Sequence, residues 1–145
     1  MKLLTFLLIG TFIFMLSSSV YAMGTRFDHL YEAELATGIY FEEAPFETVP
    51  RCTDIYAEDG MIAIVYRNAD GEEITARKYL GPHDIPDGEQ RPVYCNGHTV
   101  TLISAPGDDD CFAAAWSTDS GSYLLTSDRP VPAERMLETA AEMIR

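Results

Sequence analysis

Arg91-Pro-Val-Tyr-Cys-Asn-Gly-His-Thr-Val-Thr-Leu-Ile-Ser-Ala105 reads as two strands closed by a two-residue turn. Asn96-Gly97 is the strongest short hairpin signal, because a type I′ turn needs positive φ at both central positions and these residues reach it cheaply. A two-residue loop sets Cys95 opposite His98 and Val93 opposite Val100. The period of two then gathers Val93, Val100 and Leu102 on one face, with Tyr94, Thr99 and Thr101 on the other. Pro106-Gly107 and Asp108-Asp109-Asp110 turn the chain. Phe112, Ala114 and Trp116 alternate along the next strand, Ser117 to Gly121 turns again, and Tyr123 and Leu125 give a further strand an apolar face. The expectation is a β-meander.

The same reading extends outward. Phe27, Leu30, Tyr31 and Leu35 fall near helical spacing and Gly38 supplies a stop, which predicts a short helix over 28–37. Ile39 to Glu42 is expected to be briefly extended, and Pro45 and Pro50 frame an irregular link. Strands follow at Cys52 to Ala57 and Met61 to Arg67 around Asp59-Gly60. Another, Ile74 to Leu80, follows Asp70-Gly71. A strict two-residue turn there would pair Val65 with Ala76 and mix the faces, so a longer loop or bulge is expected. Gly81 to Gln90, with two prolines and two glycines, reads as a surface loop and a candidate functional one. Pro132 and Glu134 open a C-terminal helix whose stripe is Met136 or Leu137, Ala140, Ala141 and Ile144. The expected fold is α+β: one antiparallel meander of about six to seven strands, with both helices on one face.

Residues 1–22 have the form of a cleaved signal peptide: Lys2, an apolar run from Leu3 to Leu16, and Val20-Tyr21-Ala22 before the cut. Residues 23–145 then make a single exported domain, with no later stretch apolar enough to span a membrane. The net charge of −13 becomes one unit more negative when Lys2 leaves. That balance disfavours nucleic acid and anionic membrane surfaces, both of which are held by Lys and Arg. Cys52, Cys95 and Cys111 imply one bridge and one free thiol in an oxidising compartment. In an up-and-down meander Cys52 and Cys95 fall at the same sheet end, so that pairing is expected, with Cys111 free.

The order of elements resembles an uncharacterised class of exported bacterial domains. The residues that carry the likeness are the helix ending at Gly38, Ile64-Val-Tyr-Arg67, Ile74-Thr-Ala-Arg-Lys-Tyr-Leu-Gly81 and Asp84-Ile85. Asn96-Gly-His-Thr-Val-Thr-Leu102, Ala115-Trp116, Ser122-Tyr123 and the Pro132-Ala-Glu-Arg-Met-Leu-Glu138 helix start complete it. Such domains occur as small secreted proteins or as outer parts of membrane-anchored, anti-sigma-factor-like proteins. The resemblance implies α+β architecture and an extracytoplasmic role, and it transfers no catalytic residue.

Catalytic signatures are missing from the sequence: there is no Gly-x-Ser-x-Gly, no His-Glu-x-x-His and no phosphate-binding glycine loop. No cofactor is implied. His29 reads as a surface residue, and a Cys95–His98 thiol–imidazole pair would need a thiolate that this acidic chain does little to favour. The expected function is therefore a non-catalytic accessory module at the cell envelope, binding an unknown protein or small ligand. It would use the open sheet face or the Gly81–Gln90 loop, with Tyr94, Trp116, His83 and Asp84 as candidate contacts. The alternative is a metal-binding protein or metal-dependent hydrolase using Asp108, Asp109 and Asp110 with His83, helped by Asp84 and Asp87. Carboxylates in number suit hard cations, although these three lack the alternating spacing of a calcium loop. A structural envelope role is a third reading.

Overall fold

A computed structural model describes residues 24–43, 52–67 and 71–144. The signal-peptide reading of residues 1–22 and the Pro45–Pro50 link lie outside the described residues. Eight strands form one antiparallel sheet: β1 Thr25–Phe27, β2 Cys52–Glu58, β3 Met61–Arg67, β4 Glu73–Tyr79, β5 Glu89–Cys95, β6 His98–Ser104, β7 Cys111–Thr118 and β8 Gly121–Val131. Two helices complete the fold, α1 Leu30–Thr37 and α2 Ala133–Met143.

The spatial order is β1-β2-β3-β4-β8-β7-β6-β5. This corrects the single meander of six to seven strands. There are two four-stranded meanders, and the second runs backwards so that its last strand, β8, docks on β4. Tyr79 therefore faces Ser122 and Ile74 faces Ser127. With that side of β4 taken, residues 80–88 must carry the chain across β8, β7 and β6 to the far edge, where β5 begins.

The central hairpin has the expected register, with Val93 opposite Val100 and Cys95 opposite His98. Asn96 and Gly97 both hold positive φ, at 48° and 85°. The Asn96 side chain also donates to the carbonyls of Ala141 and Ile144 at 3.2 and 3.4 Å, satisfying acceptors that the end of α2 leaves open. The longer β3–β4 connection is present too: Arg67 faces Glu73, which brings Ile64 against Ala76 and Tyr66 against Ile74.

Both helices cover one face. Ile55, Ile62, Ile64, Tyr66, Ala76, Val100, Leu102, Trp116, Tyr123 and Leu125 meet Ala33 of α1 and Met136, Ala140 and Met143 of α2 in the main core. The opposite face holds a smaller cluster of Ile103, Ala113, Ala115 and Leu124, with Tyr79, Ile85 and Phe112 packed on it. Phe112 belongs there because a bulge between Cys111 and Ala113 breaks the alternation with Ala114 and Trp116. Ile39 and Phe41 are not extended into a strand; they are buried plugs in the main core.

Three further expectations are corrected. β1 pairs with β2 through Thr25–Ala57 to Phe27–Ile55, a strand too short to be read from its residues. β8 runs on to Val131, well past Tyr123 and Leu125, the residues from which its strand was read. Cys95 and Cys111 are free thiols, so the expected Cys52–Cys95 bridge is not formed. Five strands separate β2 from β5, about 29 Å along the sheet, whereas a disulfide needs Cα atoms within about 7 Å.

Candidate functional site: a cleft under a crossover strap

The connection from β4 to β5 is a strap laid diagonally on the face opposite the helices. Gly81-Pro82 ends the β4 ladder, since proline has no N–H to give it. The His83 imidazole then stacks on Tyr79 with ring centres 4.0 Å apart and planes at 9°. Ile85 packs on the cluster of Ile103, Ala113, Ala115 and Leu124. At the far end the backbone comes so close to the sheet that a Cβ on Gly88 would sit 2.7 Å from the Ser104 carbonyl. The segment expected as a surface loop is one, with no residue of 81–88 buried, and through Ile85 it also covers the second core.

Because the strap runs diagonally, it leaves one corner of the face uncovered. The result is a cleft of about 580 Å³ lined by Pro82, His83, Ile85, Thr99, Thr101, Ala115, Trp116, Ser117 and Ser122. Register explains its floor. Tyr94 faces Thr99, Ser117 faces Ser122, and Ser122 faces Tyr79, so these side chains share one face of adjacent strands. A second hollow of about 710 Å³ follows the outer side of the strap along His83, Asp84, Ile85, Pro86, Asp87, Gly88 and Gln90.

His83 and Ile85 line both, and His83 is the polar one of the two. Its two ring nitrogens are buried and neither is hydrogen-bonded to another group of the described residues. Burial pushes the imidazole below its ordinary pKa; the Asp84 charge opposes this and Arg77 adds to it. The ring is therefore neutral, offering one donor and one acceptor. Burial likewise raises the Tyr79 hydroxyl and lowers the Arg77 guanidinium, whose Nη1 donates to Thr126 Oγ1 at 2.7 Å. Ser117 and Ser122 share a hydrogen bond of 3.2 Å across the cleft floor.

The residues expected from the sequence fall in different places. His83 and Asp84 are in the strap, and Tyr94 is 77 % exposed on β5 at the end of the floor. Trp116 is only 4 % exposed: it stacks on Tyr123 at 5.2 Å in the main core and offers no ring to solvent, although it borders the cleft. Asp108, Asp109 and Asp110 are exposed at the start of β7, whereas His83 lies over the end that holds Ser117, about 20 Å away along the strand. The Asp110 amide is taken by Asp108 Oδ1 at 3.0 Å, as in an ordinary Asx turn. Among the described residues no group of three or more His, Cys, Asp or Glu side chains is placed to hold a metal ion. Cys111 is buried, which pushes its thiol up, away from reactivity.

Sequence reasoning passed over two features. Ser122, next to the Ser117 to Gly121 turn, was not singled out as a contact, yet it forms part of the cleft floor. Lys78 carried no expectation. It is the centre of a buried network: its Nζ donates to the Tyr40 carbonyl at 2.5 Å and to Glu43 Oε2 at 2.9 Å. Ser120 joins that network through Glu43 and the Tyr123 hydroxyl. The period of two places Lys78 on the face of Ile74 and Ala76, and a lysine there signals a partner. No helix among the described residues is long and apolar enough to cross a membrane. Comparison with protein-family models, curated proteins and solved structures returned no match to this chain.

Proposed function

We propose that this protein is an exported, non-catalytic binding module whose ligand occupies the cleft between strap and floor. The observation that carries this reading is His83: a half-buried imidazole with both nitrogens idle, facing a hydroxyl-lined hollow. Buried polar groups in folded proteins are normally satisfied, and the exceptions collect where a ligand completes them. The leader-like residues 1–22, the acidic balance and the likeness to exported bacterial domains all favour a site of action outside the cytoplasmic membrane.

The test is a ligand panel of neutral sugars, amino acids and short peptides, scored by melting temperature. A ligand specific to the folded state stabilises it by about 2.7 kcal/mol at a hundredfold excess over its Kd. Ser117→Trp fills the cleft from an exposed position. At least one ligand class should raise the wild-type melting temperature and leave the variant unchanged. Equal shifts in both proteins, or a panel without response, would sink the reading.

A further inference from the structure

The geometry of the floor points to a ligand class, and we propose that the cleft takes a neutral oligosaccharide lying across the strands from the Tyr79–His83 stack to Tyr94. This rests on the cleft being the ligand site. Tyr94 of β5 faces Thr99 of β6, and Ser117 of β7, Ser122 of β8 and Tyr79 of β4 face one another in turn; the β6–β7 register, Thr101 with Ala115, puts both groups on the same face, so the floor runs across the strands with an aromatic at each end and hydroxyls between. Four strand spacings separate the ends, about 19 Å, which suits a short chain of rings better than a single one.

Each part of the row matches that chemistry. Ser and Thr hydroxyls donate and accept together, as sugar hydroxyls do, and a neutral imidazole adds one donor and one acceptor. Tyr94 presents an exposed ring face with a polar tip, a surface on which the C–H face of a pyranose packs. His83 is the only titratable residue lining the cleft. Its neutrality, the Asp84 and Asp87 carboxylates of the strap and the net charge of −13 all work against an anionic ligand.

An extended peptide is the less suitable occupant. Peptides that join sheets do so by main-chain hydrogen bonds at an edge, and β6, β7 and β8 are interior strands, each with a neighbouring strand on both sides. The one nearby edge is blunted. Pro92 faces Thr101, and in a hairpin closed at Cys95–His98 the alternation of pairs leaves its missing N–H on the open side of β5.

The experiment is calorimetric titration of the purified protein with neutral tetrasaccharides (β-glucan, mannan, xylan and N-acetylglucosamine series) and the corresponding disaccharides. An anionic uronic-acid tetramer and an uncharged Gly-Ser-Pro peptide of similar length are titrated alongside. One neutral tetrasaccharide should bind about tenfold more tightly than its own disaccharide, since only the longer chain reaches both aromatic ends. Tyr94→Ala should weaken that tetrasaccharide about fivefold and leave the disaccharide unchanged. Ser117→Trp should abolish both. Tyr94 and Ser117 are exposed, so unchanged melting curves for the variants separate lost binding from lost fold. If the peptide or the uronic-acid tetramer binds instead and is lost in Ser117→Trp, the ligand class is wrong and the cleft reading stands. If a sugar binds Ser117→Trp as well as wild type, both fail. If no sugar of any series binds, the inference is overturned.

Discussion

Lys78 and His83 lie five residues apart and on opposite faces of the sheet, and they treat burial in opposite ways. On the helix face the Lys78 ammonium bonds the Tyr40 carbonyl and Glu43, and lies 5.4 Å from the centre of the Tyr123 ring. On the strap face both His83 nitrogens are unpartnered. A buried polar group that is fully engaged fastens chain to chain: Lys78 ties residues 40–43 to β4 and the β7–β8 turn. A buried polar group left idle costs stability and is retained where something else completes it. The faces differ in scale as well. The helix face holds the large core, while the strap covers a cluster of four fully or nearly buried residues.

Lys78→Met should give the largest effect, because removing one partner of a buried pair leaves the other uncompensated. A loss of about 3 kcal/mol is expected in urea unfolding. The pH dependence identifies the cause. Burial pushes the Glu43 carboxyl up, but hydrogen bonds from Lys78 and Ser120 and the Lys78 charge carry it below its ordinary value. A depressed carboxylate contributes stability that is present above its unfolded pKa and lost as pH falls through the folded one. The gap between wild type and variant should therefore narrow below about pH 4.3, as Glu43 protonates in both. A gap independent of pH would mean that Lys78 acts through packing alone.

Ile85→Ala sharpens the contrast between the two cores. Ile85 is partly exposed and packs only on the small cluster, so about 1 kcal/mol is expected, at the low end of cavity costs. Hydrogen exchange should rise within residues 81–88 and leave β2, β3 and α2 protected, since a cover with few buried contacts opens locally. Uniform loss of protection would show that the strap is integral to the fold, and would end its description as a lid over a separate site.

Much of the helix face was legible in the sequence, because local chemistry dictates it. Asn96-Gly97 fixes a register, the period of two sorts Val93, Val100 and Leu102 from Tyr94, Thr99 and Thr101, and Gly38 stops α1. What failed were long-range decisions. Nothing local says that β8 rather than β5 lies beside β4, yet that choice lays the surface loop after β4 across the sheet as a strap and puts five strands between Cys52 and Cys95. The bulge at Cys111–Ala113 moved Phe112 across the sheet for the same reason: one extra residue reverses the phase, and composition does not announce it. The site inherits this division. Thr99 and Thr101 were placed on the correct face from the hairpin alone, whereas Ser117 and Ser122 become a floor only once β6, β7 and β8 are adjacent and the strap overhead is known to run diagonally. Trp116 was a poor candidate contact because its face is the one the helices cover.

The smallest effect expected bears on the idle imidazole itself. Burial holds the His83 pKa down, opposed by Asp84 in the strap and reinforced by Arg77 beneath it on β4. Its folded pKa lies below its unfolded one, so as pH falls the unfolded chain takes up the proton first. Stability then rises with pH across that window and is lost on acidification below about pH 6.5. His83→Gln keeps a donor and an acceptor and removes the titration. Between pH 7 and 5 the stability difference between wild type and His83→Gln should drift, with wild type losing ground as the pH falls, as read from paired urea melts. The same proton would convert the acceptor nitrogen into a second donor, so a cleft ligand that donates to His83 must weaken over the same pH range. If wild type and His83→Gln run parallel, the imidazole is solvated rather than buried. The contrast with Lys78 would then be one of exposure, and the main reason for placing a ligand under the strap would be gone.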